Sequence, residues 1–245
     1  MSDSTDTTPS RGRLISIEGL NGVGKTYLTR RVLEATAAGA EPPLVVADFS
    51  RRRSGGDGDL ARRLLRILST AASDEHFLRG GHPRSETLLL LAIKMHDYET
   101  TLPALRAGRT VIEGRSIHST AIYQSLILHP DDDNAAADSV QAILETAARW
   151  RSLPDLTIVL TDDLHAAVHR AETRDDRAFT DDQWVVHLRA ATLFERLTDL
   201  DPTHVRLLDR RDHDTDSLVE LISRWIDAAP ARSNPDHARR TTLTQ

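Results

Sequence analysis

The sequence predicts a three-layer α/β fold: a parallel five-stranded sheet with helices on both faces and a short lid. Three observations lead there. Five short apolar runs recur along the 245 residues, separated by segments with helical spacing. Strands that alternate with helices imply parallel pairing under helical cover. The first apolar run leads directly into a glycine-rich loop and then a helix, the opening of many nucleotide-binding sheets.

The strand candidates are Leu14–Ile17, Leu44–Phe49, Thr110–Glu113, Leu156–Leu160 and His204–Leu208. Helical spacing marks Leu60–Leu68, Glu86–Leu105, Ala135–Trp150, Leu164–Thr173, Asp181–Leu200 and Thr215–Ala228, and a further helix starts after Thr26. Residues 1–11 read as a polar leader, 12–229 as one domain and 230–245 as a polar tail. The formal net charge of −6 argues against nonspecific nucleic-acid binding. The absence of cysteine rules out disulfides, thiolate catalysis and cysteine-based zinc sites. No apolar run reaches membrane-spanning length, and residues 1–9 lack the apolar core of a signal peptide. A cytoplasmic enzyme is expected.

In parallel sheets, ligands bind beyond the carboxyl ends of the strands. Beyond the first strand lies Gly19-Leu-Asn-Gly-Val-Gly-Lys-Thr26, a complete G-x-x-x-x-G-K-[ST] loop. Its glycines let successive N–H groups turn inward onto phosphate oxygens, and the helix N-terminus adds partial positive charge. Gly19, Asn21, Gly22, Val23, Gly24, Lys25, Thr26 and Tyr27 are the expected ATP contacts, with Lys25 catalytic and Thr26 a Mg²⁺ ligand. Beyond the second strand, Arg51-Arg52-Arg53 can clamp a second phosphate through forked hydrogen bonds. Beyond the third come Glu113, a candidate Mg²⁺ ligand, and Arg115, a candidate for the acceptor phosphate and the transferring group. Tyr123 and Gln124 can contact a sugar or base. Between two helical patterns, Arg170–Phe179 suits a lid whose Arg174 and Arg177 neutralise the transferring phosphoryl group. The histidines, His96 and His118 among them, lack metal-ligand spacing and read as core or surface residues.

With these segments in this order, the chain resembles the thymidylate kinase family of P-loop nucleoside monophosphate kinases from about Arg13 to Asp227. Ile15–Thr26 looks like the family's first strand and phosphate loop. Phe49-Ser50-Arg51 with Gly55-Gly56 is similar to its acceptor-phosphate motif, and Gly114–Gln124 to its Asp-Arg-Tyr…Ser…Ala-Tyr-Gln segment. The resemblance implies the P-loop NTPase fold, ATP as donor with Mg²⁺, and acceptor contacts from Arg51, Arg115, Ser119, Tyr123 and Gln124. It also implies dTMP as the leading acceptor and a homodimer. Competing readings are a deoxynucleoside kinase, with Glu18 as its base, and a catalytically degenerate nucleotide-binding paralogue. The sequence departs from the family pattern at Asn21, Arg52, Arg53, Gly114 and Ser116. In the helix Leu88–His96, Leu89 is expected at the base-stacking position and Ile93 at the base-reading position. Lys94 would reach the base only after a shift. On that register dTMP should be an atypical acceptor.

Overall fold

The computed structural model describes residues 11–36, 41–46, 59–71 and 81–232. The strands are β1 (Leu14–Glu18), β2 (Leu44–Val46), β3 (Val111–Glu113), β4 (Leu156–Thr161) and β5 (Val205–Asp209). They form one parallel sheet in the order β2-β3-β1-β4-β5. The part of the second expected strand beyond Val46 lies outside the described residues.

The described helices are α1 (Lys25–Thr36), α2 (Leu60–Ala71), α3 (Pro83–Arg106), α4 (Ile117–Leu128), α5 (Asp133–Ala148), α6 (Leu164–Asp175), α7 (Asp181–Leu200) and α8 (Thr215–Ala228). Most start where a short polar side chain satisfies otherwise unpaired N–H groups. Asp132 caps α5, Asp163 caps α6 and Asp214 caps α8, and Thr180 with Gln183 forms a reciprocal capping box on α7.

Helix α4 was not evident from periodicity. Every residue from Ile117 to Leu126 is buried. A helix covered on all sides presents no polar stripe, so its sequence lacks the amphipathic repeat. It packs against α3, α5 and α7, deep in the helical layer.

β1 is buried along its whole length. Leu14 packs with Tyr98 and Leu105 of α3, while Ile15 and Ile17 join Leu28 and Val32 of α1 and Ile222 of α8 in the main core. A second cluster joins Ala61, Leu65 and Leu68 of α2 to Leu90 and Ile93 of α3. No helix among the described residues is long and apolar enough to cross a membrane.

The amino edge of the sheet is closed by Asp155, which is fully buried. Its carboxylate accepts from the Leu14 N–H at 2.7 Å, from the Arg11 guanidinium at 2.8 and 2.6 Å, and from the Arg232 N–H at 2.5 Å. Arg11 was expected in the leader and Arg232 in the tail, yet both belong to this clasp. Arg232 also donates to Asp201, whose carboxyl group is held below its usual range. Partial burial opposes that shift, but the bonds from Arg232 and His204 outweigh it.

Replacing Asp155 by alanine strands a largely buried guanidinium and a buried N–H. It should cost about 3 kcal/mol and lower the melting temperature by roughly 6–12 °C. An unchanged melting curve would refute the clasp. A carboxylate with a lowered folded pKa stabilises above its unfolded value, about 3.9, and loses that contribution as pH falls through the folded value. The stability gap between wild type and Asp201→Asn, measured by urea unfolding, should therefore be larger at pH 7 than at pH 2.5.

Candidate active site

The site lies on the carboxyl edge of β1 and β3. These strands are neighbours, but the connection leaving β1 runs toward β2 and the one leaving β3 runs toward β4. Diverging connections open a crevice at this edge. The loop after β1 has Gly19, Gly22 and Gly24 at φ of +124°, +80° and +93°. Close packing reinforces the need for glycine: a Cβ on Gly22 would sit 1.8 Å from the Ala167 carbonyl oxygen of α6. Leu20 and Val23 are buried and anchor the loop in the core. The Lys25 Nζ lies across the loop and donates to the carbonyls of Gly19 at 2.8 Å and Leu20 at 2.7 Å. Thr26 and Tyr27 are exposed in the first turn of α1.

The loop after β3 meets this one. The Arg115 guanidinium donates to the Asn21 side chain, joining two predicted site residues. Glu18, fully buried at the end of β1, binds the same segment. Its carboxylate accepts from Ser16 Oγ at 2.8 Å, the Ser116 N–H at 2.7 Å, Ser116 Oγ at 2.6 Å and Ser119 Oγ. Burial opposes its charge, but the adjacent His118 and the bonds from Ser116 and Ser119 hold its pKa below the usual range. Burial lowers His118 to about 4.

Tyr123 is buried edge-on to Phe194, and desolvation raises its phenol pKa to about 12. The Gln124 Oε1 accepts from Thr87 of α3 at 2.9 Å. Arg174 and Arg177 are exposed around the end of α6, where Asp176 turns left-handed at φ 50°. Arg174 bonds its neighbour Asp175. Arg51 lies outside the described residues.

Two placements differ from the sequence reading. Glu113 is not presented to the phosphate loop: both its oxygens accept from Arg151, at 3.1 and 2.9 Å, and both side chains are 1% exposed. The register of α3 is also one residue off. Ile93 packs against α2 with Leu90, and Leu89 borders the same cluster. It is Lys94 that faces Arg115, donating to its carbonyl at 2.5 Å. Lys94 is thus engaged by the protein itself, through the Arg115 carbonyl and Asp97.

Sequence reasoning missed Arg170, Arg210 and Asp162 as a group. Arg170 donates to the Gly22 carbonyl at 2.9 Å and to Asp162 at 2.5 Å. Arg210 donates to the Val23 carbonyl at 2.8 Å and lies 3.5 Å from Asp162. Asp162 follows β4 and Arg210 follows β5, so the carboxyl-end rule applied to all strands would have found them. Among the described residues, no group of three or more His, Asp or Glu side chains is disposed to hold a metal.

A family model for thymidylate kinase matches residues 17–221. A thymidylate kinase from Rhizorhabdus wittichii is 28% identical over 224 residues, covering 89% of this chain and 99% of the relative. One from Mycoplasmoides gallisepticum is 33% identical over 224 residues, covering 88% and 96%. The solved thymidylate kinase of Candida albicans superposes with a TM-score of 0.63 at 19% identity, covering 91% of this chain and 97% of that one. That likeness shows the fold, a parallel sheet under helical layers. Because the match begins inside β1, takes in both loops of the crevice and ends within α8, the chain belongs to the thymidylate kinase family of nucleoside monophosphate kinases.

Proposed function

We propose that the chain transfers the γ-phosphoryl group of ATP to a nucleoside monophosphate, converting dTMP to dTDP. The observation that carries this reading is the contact between Arg115 and Asn21. It brings a cationic side chain from the β3 edge onto a complete phosphate loop. One crevice thus holds groups for a donor triphosphate and an anionic acceptor. Relatives named thymidylate kinases that match nearly full length support dTMP as that acceptor.

In the reaction, an acceptor phosphate oxygen bonds to the γ-phosphorus as the bond to the β–γ bridging oxygen breaks, releasing ADP. The acceptor oxygen is already anionic, so no general base is needed. The protein supplies position and charge. On nucleotide binding, Lys25 exchanges the loop carbonyls for β- and γ-phosphate oxygens. Arg115, with Arg51, holds the acceptor, and Ser119, Tyr123 and Gln124 shape its pocket. Arg174 and Arg177 neutralise the transferring group when the lid turn closes. Both are exposed at the end of α6, and Arg170 of that helix already touches the loop.

Mg²⁺ retains several waters and needs few protein ligands. The exposed Thr26 hydroxyl fits it, together with nucleotide phosphates, whereas the Glu113 carboxylate is engaged by Arg151. The bound ion would neutralise phosphate charge. A deoxynucleoside kinase would need Glu18 to accept a proton from a sugar hydroxyl. Full burial and four donors already on the carboxylate do not support that role. The cytoplasm, where ATP and nucleotides are abundant, is the compartment this chemistry suggests. A homodimer is the assembly suggested by family membership.

Lys25→Ala should lower kcat by about 10²-fold or more in a coupled ADP-release assay with dTMP. Wild-type turnover by that variant would remove the loop from the reaction. Arg115→Ala should weaken dTMP binding by roughly 10- to 100-fold, the range for hydrogen bonds to charged groups. ATP affinity should change far less. Equal losses for the two ligands in calorimetry would contradict the acceptor assignment.

A further inference from the structure

Lys94 sits near the middle of α3 with only 2% of its surface exposed, where an ammonium group is rarely found. Its Nζ donates to the Arg115 carbonyl at 2.5 Å and lies 3.6 Å from the Asp97 carboxylate, which is equally buried. That carbonyl belongs to the short link between β3 and α4. Arg151 binds the same unit from the other side. It donates to the Lys94 main-chain carbonyl at 3.0 Å and to Glu113, and lies over the Tyr98 ring at 5.0 Å. Two buried cations and two buried carboxylates thus lock α3 to the end of β3. A well-packed apolar set would stabilise the fold as well or better, because desolvating ions consumes much of their attraction. What the charged set does in addition is hold one carbonyl, and that carbonyl belongs to Arg115.

We propose that Lys94 is a positioning residue for the phosphoryl acceptor. It fixes the Arg115 main chain so that the guanidinium, which reaches Asn21 in the phosphate loop, is presented to the acceptor's phosphate. It therefore acts on the phosphate end of an acceptor, whatever base that acceptor carries. This rests on the assignment of Arg115 to the acceptor in the proposed function.

The test uses Lys94→Met combined with Asp97→Asn, which avoids stranding a buried carboxylate, and Lys94→Arg, which keeps the cation. Binding of dTMP and of 2-deoxyribose 5-phosphate, the same acceptor without its base, is followed by ³¹P NMR titration. ATP binding serves as the control. The double variant should bind both phosphate compounds about 10-fold or more weakly, by matching factors, with ATP affinity within about two-fold of wild type. Lys94→Arg should recover most of the loss. A loss confined to dTMP would mean that Lys94 contacts the base, and would overturn the proposal. So would a parallel loss of ATP binding, which marks general loosening, or no loss at all. Wild-type protein that phosphorylates no monophosphate would overturn the proposed function itself. Normal wild-type turnover with unaffected variants would overturn only the role of Lys94.

Discussion

The geometry of the crevice depends on one buried carboxylate. Glu18 ends the central strand, and the next residue begins the phosphate loop. A carboxylate with no solvent contact is tolerable only if donors replace its lost water. Ser16, Ser116 and Ser119 supply them. Three of the four bonds come from the segment that carries Arg115, so satisfying the charge also sets the spacing between the two loops. His118 is buried beside the carboxylate, and that burial lowers the imidazole pKa to about 4 against the pull of the Glu18 charge.

The parts of this arrangement that were legible in the sequence have local signatures. The phosphate loop is contiguous, its glycines are required by its own backbone, and the strands are short apolar runs between breakers. What could not be read depends on neighbours. Helix α4 lacks a periodic face because the fold surrounds it. The orientation of α3 turns on one residue step: Ile93 and Lys94 are 100° apart on an ideal helix, and only the position of α2 decides which of them meets the interior cluster. Glu113 looked like a free carboxylate at a strand end because its partner, Arg151, lies far along the chain. Asp155 gave no motif, since its partners come from opposite ends of the described chain.

The loop is supported from behind as well as from the side. Arg170 and Arg210 bind successive loop carbonyls and share Asp162. Carbonyls held outward leave the alternate face of the peptide planes, with its N–H groups, for phosphate. Gly22 allows α6 to approach until only a hydrogen atom fits between them. Since α6 carries Arg174 in its last turn and leads into the turn bearing Arg177, the donor loop and the base of the lid are packed together.

The clasp at Asp155 brings Arg11 and Arg232 together, and Arg11 donates to the Arg232 carbonyl at 3.0 Å. The chain therefore enters and leaves this body at nearly the same point, on the edge of the sheet opposite the crevice. A partner domain fused before residue 11 or after residue 232 would emerge away from the reacting phosphates. Joining those two points through a short linker and opening the chain elsewhere would leave the order of strands in space unchanged. In this protein the first and last described residues and the chemistry occupy opposite poles, so the architecture is suited to insertion into longer chains without loss of access to nucleotide.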